Sequence, residues 1–181
     1  MEVRRTVPVK LDVTESDAAL LHDTIDEFRD AANYVVRHAR GDDGYVITSK
    51  RRLHDRTYAD VREATDLHAN LPRFTSPFLE YDKRSATFHD DHASLSTVGG
   101  RITAEYVLPG EDHNTPHTVY LFSDDYETTG ATLHDRETTD EFYLHVRTTA
   151  DVDAPDPREN GTVLGVDLGV ENIAVTSTGV F

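Results

Sequence analysis

The sequence contains no cysteine, which excludes disulfides and every thiolate zinc site. No run approaches the roughly 20 apolar residues needed to span a bilayer, so a membrane partner is not expected. The opening stretch MEVRRTVPVKLDV lacks the apolar core of a secretory signal, and the expected location is the cytoplasm. Lysine is scarce, confined to Lys10, Lys50 and Lys83. Arginine supplies the rest of the positive charge.

Acid is what the sequence has in abundance. Asp and Glu total 34 against 18 Lys and Arg, a formal charge of −16 over 181 residues. The acids are spread through periodic, foldable sequence, so they belong to a folded surface and not to a tail. An evenly acidic, lysine-poor surface resembles adaptation to a salt-rich cytoplasm. At about 1 M salt the Debye length is roughly 3 Å, and the self-repulsion of such a surface is largely screened. The same screening weakens long-range attraction to any partner, so net charge argues neither for nor against nucleic acid. The length accommodates one domain with a real core, or one domain plus part of another.

Patterning divides the chain. Val3, Val7, Val9 and Leu11 alternate with polar residues, which predicts a half-buried strand. Thr14 or Ser16 caps a predicted helix whose apolar face is Leu21, Ile25, Phe28, Ala32, Val35 and Ala39, ended by the GDDG at 41 to 44. Ser49 caps a second, with Leu53, Thr57, Val61 and Ala64 inward and Lys50, Arg51, Arg52 and Arg56 near its start. Beyond Pro72 come short alternating runs: SATFHD, ASLSTV, RITAEYVL, TVYLFS, ATLHDR and EFYLHVRTT, separated by glycine and proline. Short strands at this spacing predict a small antiparallel barrel or sandwich, which the opening strand would join. ADVDAPDPREN reads as a linker.

The last segment, GTVLGVDLGVENIAVTSTG, reads as strand, tight turn, strand. Val163 to Val166 is apolar at odd and even positions alike, the pattern of a strand covered on two faces. A carboxylate buried there unpaired would cost several kcal/mol, so Asp167 has a physical reason to hold a cation. The bland alternative is a capped or partly exposed turn aspartate. Two strands alone are marginal in water, and the hairpin is expected to be mobile or to self-associate with a second copy through its open edge.

VLGVDLGVENIAVTSTG resembles the first RuvC-type motif of the OrfB or TnpB family, the transposon-encoded, RNA-guided DNA endonucleases. YDKRSATFHDDHASLSTVGGRI and the upstream REATDLHANL resemble that family as well. The resemblance covers nearly the whole chain and has a haloarchaeal, transposase-associated style. It implies an α+β fold: a wedge-like β-barrel from residues 1–13 and 78–150, an inserted and shortened helical recognition lobe at 14–70, a linker at 151–160, and the start of an RNase H-like nuclease domain at 161–181. It implies guide RNA and DNA as partners, magnesium as the metal and Asp167 as the first catalytic, metal-binding acid. Relatives continue with a catalytic glutamate, a Cys-based zinc ribbon and a final aspartate, none of which this sequence contains; the expectation is a truncated copy with an internal deletion and no zinc.

Chemistry points the same way. Two-metal phosphodiester cleavage needs several carboxylates around ions about 4 Å apart, and one aspartate holds magnesium only weakly. Glu171 matches no family ligand. The chain alone is therefore expected not to cleave.

Weaker candidates have plain readings beside the functional ones. Arg4, Arg5, Lys50, Arg51, Arg52, Lys83 and Arg84 are candidate phosphate contacts, or isolated cations on an acidic surface. HDDH at 89 to 92 reads as an exposed turn, and His113 and His117 as residues of a loop. D-L-G-x-x-N also resembles the first phosphate loop of actin-like ATPases and sugar kinases, and the chain could instead be a non-enzymatic RNA- or DNA-binding module that works with or against an intact relative.

The charge makes a direct prediction. With −16 to contain, the fold should melt at a lower temperature in about 0.01 M KCl, where the Debye length is near 30 Å, than in about 2 M KCl. Circular dichroism melts at the two salt concentrations measure this; equal melting temperatures would contradict the salt-adapted reading.

Overall fold

The computed structural model describes residues 1–41, 43–67, 78–109 and 115–153, together with the backbone of 166–167, 175–176 and 179–180. In chain order these form β1 (Glu2–Asp12), α1 (Glu15–Arg37), α2 (Lys50–Ala64), β2 (Glu80–Tyr81), β3 (Ala86–Phe88), β4 (His92–Thr97), β5 (Gly100–Val107), a π-helical turn (His117–Leu121), β6 (Glu127–Arg136) and β7 (Glu141–Asp151). Residues Glu2–Asp151 make one compact unit, and Met1 with Val152–Phe181 a second. In the second, β8 (Val166–Asp167), β9 (Val175–Thr176) and β10 (Gly179–Val180) pair antiparallel in the order β10-β9-β8. Most of the expected linker at 151–160 lies outside the described residues.

The larger unit is α+β, built on a seven-stranded antiparallel sheet of order β2-β6-β7-β1-β5-β4-β3. Its two edge strands are consecutive in sequence: β2 ends at Tyr81 and β3 begins at Ala86. A flat sheet of this order would hold its edges about 29 Å apart at 4.8 Å per strand, whereas the chain from Tyr81 to Ala86 reaches at most roughly 18 Å. The sheet must therefore curl until its edges approach, giving a nearly closed barrel.

The turn that brings the edges together is held by its own side chains. The Asp82 carboxylate accepts from the backbone N–H of Arg84 at 2.9 Å and of Ser85 at 3.2 Å, and the Ser85 hydroxyl accepts from Asp82 N–H at 2.9 Å. The Asp82 carbonyl takes the Ala86 N–H at 2.8 Å. Aspartate and serine favour such local turns. Across the gap, the Tyr81 hydroxyl donates to the Ser96 carbonyl at 3.1 Å and Ser96 N–H to the Ser85 carbonyl at 2.9 Å. YDKRSATF is thus the closure of the barrel.

Alternation sorts each strand into inward and outward residues. Val7, Val9 and Leu11 of β1, Ile102, Ala104 and Tyr106 of β5, and Phe142, Leu144 and Val146 of β7 are buried. Small residues (Ala86, Ala93, Ala104, Ala131) share the interior with large ones (Tyr81, Phe142, Leu95), as a narrow barrel requires. α1 joins the same core through Leu21, Ile25, Phe28 and Ala31, and α2 through Val61. The inward face of α1 includes Ala31 and Thr24 where the periodicity suggested Ala32, a drift expected of a 3.6-residue repeat on a curved surface. Thr24 also fastens the helix, accepting from Val98 N–H in the β4–β5 hairpin at 3.1 Å.

Both helices are capped as their sequences indicate. Thr14 Oγ accepts from Asp17 N–H at 3.2 Å, and Ser49 Oγ from Arg52 N–H at 3.4 Å. TVYLFS, expected as a strand, instead contains a π-helical turn closed by Phe122 N–H to the His117 carbonyl at 3.1 Å. Pro116, at φ −54°, is set for helix, and Thr118 Oγ donates to the Thr115 carbonyl at 2.9 Å; such local bonds compete with strand pairing. The turn flanks β1, where His117 Nε2 donates to the Pro8 carbonyl at 2.9 Å.

A β-bulge interrupts the β6–β7 ladder between Thr128 and Gly130. Gly130 has φ +154°, and a Cβ on it would lie 2.5 Å from the Tyr81 carbonyl oxygen of β2. Gly130→Ala should therefore cost about 1–3 kcal/mol, read as a lowered melting temperature. Gly44→Ala, at φ +79° with open space around it, should cost less; equal melting temperatures for the two variants would remove the closure argument.

Candidate functional site

α2 is the most basic element of an acidic chain. Lys50, Arg51, Arg52, Arg56 and Arg62, five of the 18 lysines and arginines, fall within its 15 residues. Helix dipoles favour acids in the first turn and cations in the last, each worth about 0.3–1 kcal/mol at low salt. α1 obeys this, with Glu15 and Asp17 at its start and Arg37 at its end. α2 reverses it: its first turn holds Lys50, Arg51 and Arg52 and no acid. The cost to the helix is small, but its sign is unfavourable at three successive positions.

All three side chains are exposed, Arg51 at 92%. Arg51 makes only a loose ion pair with Asp55 at 3.9 Å, and Lys50 and Arg52 have no carboxylate partner among the described residues. Nearby His54 stacks on the half-exposed Tyr58 ring at 4.7 Å. Tyr34 of α1 donates its hydroxyl to Asp60 of α2 at 2.5 Å, a bond that, with the hydroxyl's partial burial, raises the Tyr34 pKa. The unpaired N–H groups of the helix start, its dipole and three cations all attract an anion to one place.

A second feature was not foreseen. On the outer face of β1, β7 and β6 the outward residues run Lys10, Tyr143 and His134 in one row and Pro8, His145 and Thr132 in the next, followed by Thr6 and Arg147. His134 and His145 stack with ring centres 3.8 Å apart, and Phe78 packs on His134 at 4.6 Å. The Arg136 guanidinium lies 4.3 Å over the Tyr143 ring, and Arg147 donates to Thr132 Oγ at 3.0 Å. The one acid of these rows' neighbourhood on β7, Glu141, is engaged by Lys10, whose ammonium lowers the Glu141 pKa. Burial lowers the pKa of both imidazoles, and for His145 the neighbouring His134 and Arg136 add to the effect. The signal was present in EFYLHVRTT, whose outward positions are Tyr143, His145 and Arg147; it was readable only once the inward face was known.

The remaining candidates lie in more acidic surroundings. Arg4 pairs with Glu2 at 2.7 Å and Lys83 with Glu127, and both acids line a 690 Å³ groove with Asp90, Asp124, Asp125 and Asp151. Arg84 turns back to Asp82 at 3.2 Å. Arg5 lies over the Tyr120 ring at 5.6 Å. Of HDDH, His89, Asp90 and Asp91 form the exposed bend between β3 and β4 while the half-buried His92 opens β4; His89 stacks on His92 and Asp91 pairs with His92 at 2.5 Å. No three histidine or acidic side chains converge on a metal position among the described residues, and no helix there is long and apolar enough to cross a membrane. The backbone of Asp167 pairs with Val175; its side chain, like His113 and Glu171, lies outside the described residues.

The histidine pair sets a pH dependence. Its folded pKa values are lowered, so the unfolded chain binds more protons below the ordinary value of 6.5, and stability must rise with pH across that range. Wild type should therefore lose stability between about pH 7 and 5, before the carboxylates titrate, and the H134F/H145F variant should lose less. Urea midpoints across this range measure the difference, and identical slopes would count against the neutral, stacked pair.

Compared with known proteins, the chain matches no protein-family model, and no curated protein matches it in sequence at a significant level. The functional reading rests on its own residues.

Proposed function

We propose that the protein binds nucleic acid, as a relative of the OrfB/TnpB RNA-guided endonucleases that does not cleave by itself. In this reading the barrel is the wedge-like domain and α1 and α2 are its inserted recognition lobe. Guide RNA or target DNA is the ligand, and the segment from Gly161 is the opening hairpin of an RNase H-like domain with Asp167 as its first magnesium ligand. The antiparallel backbone pairing of Val166–Asp167 with Val175–Thr176 supports the last point. One carboxylate holds magnesium weakly, so no cleavage step is assigned to the chain.

The observation that carries the reading is the reversed first turn of α2. Beyond the loose Arg51–Asp55 pair, folding gains little from Lys50, Arg51 and Arg52 at a helix start, and in an acidic chain with so few lysines their clustering needs another reason. A phosphate supplies it: the helix start and the three cations act on it together. In concentrated salt such contact must be local, which exposed side chains on a helix end permit.

Stability and binding should respond in opposite directions. The variant K50E/R51E/R52E places acids where the dipole prefers them, so its melting temperature should equal or exceed that of wild type. Its affinity for RNA or DNA, measured by fluorescence anisotropy in about 0.5 M KCl, should fall at least about tenfold, since it loses three phosphate contacts and gains repulsion. Unchanged affinity in a stable variant would refute the assignment of α2.

A further inference from the structure

The ring-bearing face of β1, β6 and β7 is a different surface from the start of α2, and its chemistry is different too. α2 offers point charges. The sheet offers a ladder of three rings, His134 stacked on His145 and Phe78 packed at a tilt on His134, beside two guanidinium groups, Arg136 and Arg147, that have no carboxylate partner among the described residues. We propose that this face binds an unpaired nucleobase of RNA or single-stranded DNA, stacked on the ring ladder, while Arg136 and Arg147 contact the flanking phosphates. This rests on the reading that the protein binds nucleic acid.

Three observations carry it. Tyr143 and His145 occupy successive outward positions of β7, with His134 beside Tyr143 on β6, so these half-buried rings line the outer face of the sheet and not its core. Phe78 remains 47% exposed, so the ladder is not sealed into the core. Acid is sparse in the rows holding Tyr143 and His145: Lys10 holds Glu141, the positions flanking His145 are Pro8 and Thr132, and Glu80 of β2 stands one strand further along that row, beside Thr132. A phosphate approaching from the β1–β7 side meets fewer carboxylates here than at the acidic groove.

Ring stacking selects for single strands, because in a duplex the faces of the bases are already stacked on each other and only phosphates and base edges remain. The imidazoles act as neutral rings, in keeping with the lowering of their pKa by burial. Phenylalanine should then replace them, which it could not do if they bound phosphate as cations.

The test compares a single-stranded RNA, a single-stranded DNA of the same sequence and the matching DNA duplex, by fluorescence anisotropy in about 0.5 M KCl with the full chain. H134A/H145A should lose about tenfold or more in affinity for both single strands and keep its duplex affinity within about twofold, which also shows that it is folded. H134F/H145F should keep wild-type single-strand affinity. A single 2-aminopurine in either strand should be quenched by wild type and by the phenylalanine variant and less by the alanine variant. R136Q/R147Q should weaken all three ligands. Loss of affinity for one single strand alone would assign the site to RNA or to DNA. Three results overturn the proposal: equal sensitivity of single strands and duplex to the alanine variant, loss in the phenylalanine variant as large as in the alanine one, or no quenching. Binding that depends on Lys50, Arg51 and Arg52 but ignores the rings would overturn this site alone; no binding to any ligand would overturn the nucleic-acid reading with it.

Discussion

The turn from Asp82 to Ser85 governs this molecule. It joins the first and last strands of the seven-stranded sheet, and the chain between them is too short for any arrangement in which those edges stay apart. Once the edges meet, the sheet has an inside and an outside. The inside selects alanine together with tyrosine, phenylalanine and leucine, and demands a glycine where β6 bulges past the Tyr81 carbonyl. α1 then reaches the core from the β4–β5 hairpin, where Thr24 takes the Val98 N–H. Lys83 and Arg84, candidates for phosphate contact from sequence, are held beside acids by the same turn.

Closure also distributes charge. Around one end of the sheet the acids Glu2, Asp90, Glu127 and Asp151 collect about a groove, and the cations near it are paired. Positive charge also stands at the first turn of α2 and on the outer face of β6 and β7. The two differ physically: the helix start concentrates charge and N–H dipoles, whereas the sheet face holds rings with guanidinium groups beside them. A surface that is acidic on average thus keeps two local environments that a phosphate or a base can enter, and in screening salt the local environment decides.

Much of this architecture could be read from the residues. The alternation of β1, β5 and β7 located the strands, Thr14 and Ser49 were recognisable caps, and the burial of Thr57 and Val61 follows from the periodicity of α2. Other readings needed correction: Ala64, placed inward on α2, is exposed at its last turn, and Ala32 of α1 is only half-buried. TVYLFS has the alternation of a strand, but threonine and proline side chains fold part of it into a π-helical turn beside β1. Ala39, placed on the face of α1, lies beyond its end at Arg37, where the chain turns back through the bridge between Arg40 and Val46.

By itself the sequence determined most of the helices and strands, the absence of thiolate chemistry, the acidic surface and the cationic start of α2, because each depends on neighbours no more than a few positions apart. It also showed the DLG motif, which Asp167 opens. Tertiary structure alone decided that Phe78, His134 and His145 form one ladder, since these residues lie on separate segments and meet only when β6 and β7 pair in register beside the incoming chain. It likewise decided that Arg4 and Lys83 are ion-paired, with Glu2 and Glu127, while Arg136 lies over the Tyr143 ring and Arg147 donates to Thr132. Local periodicity specifies the face a residue takes on its own strand; only the closed sheet specifies what stands next to it.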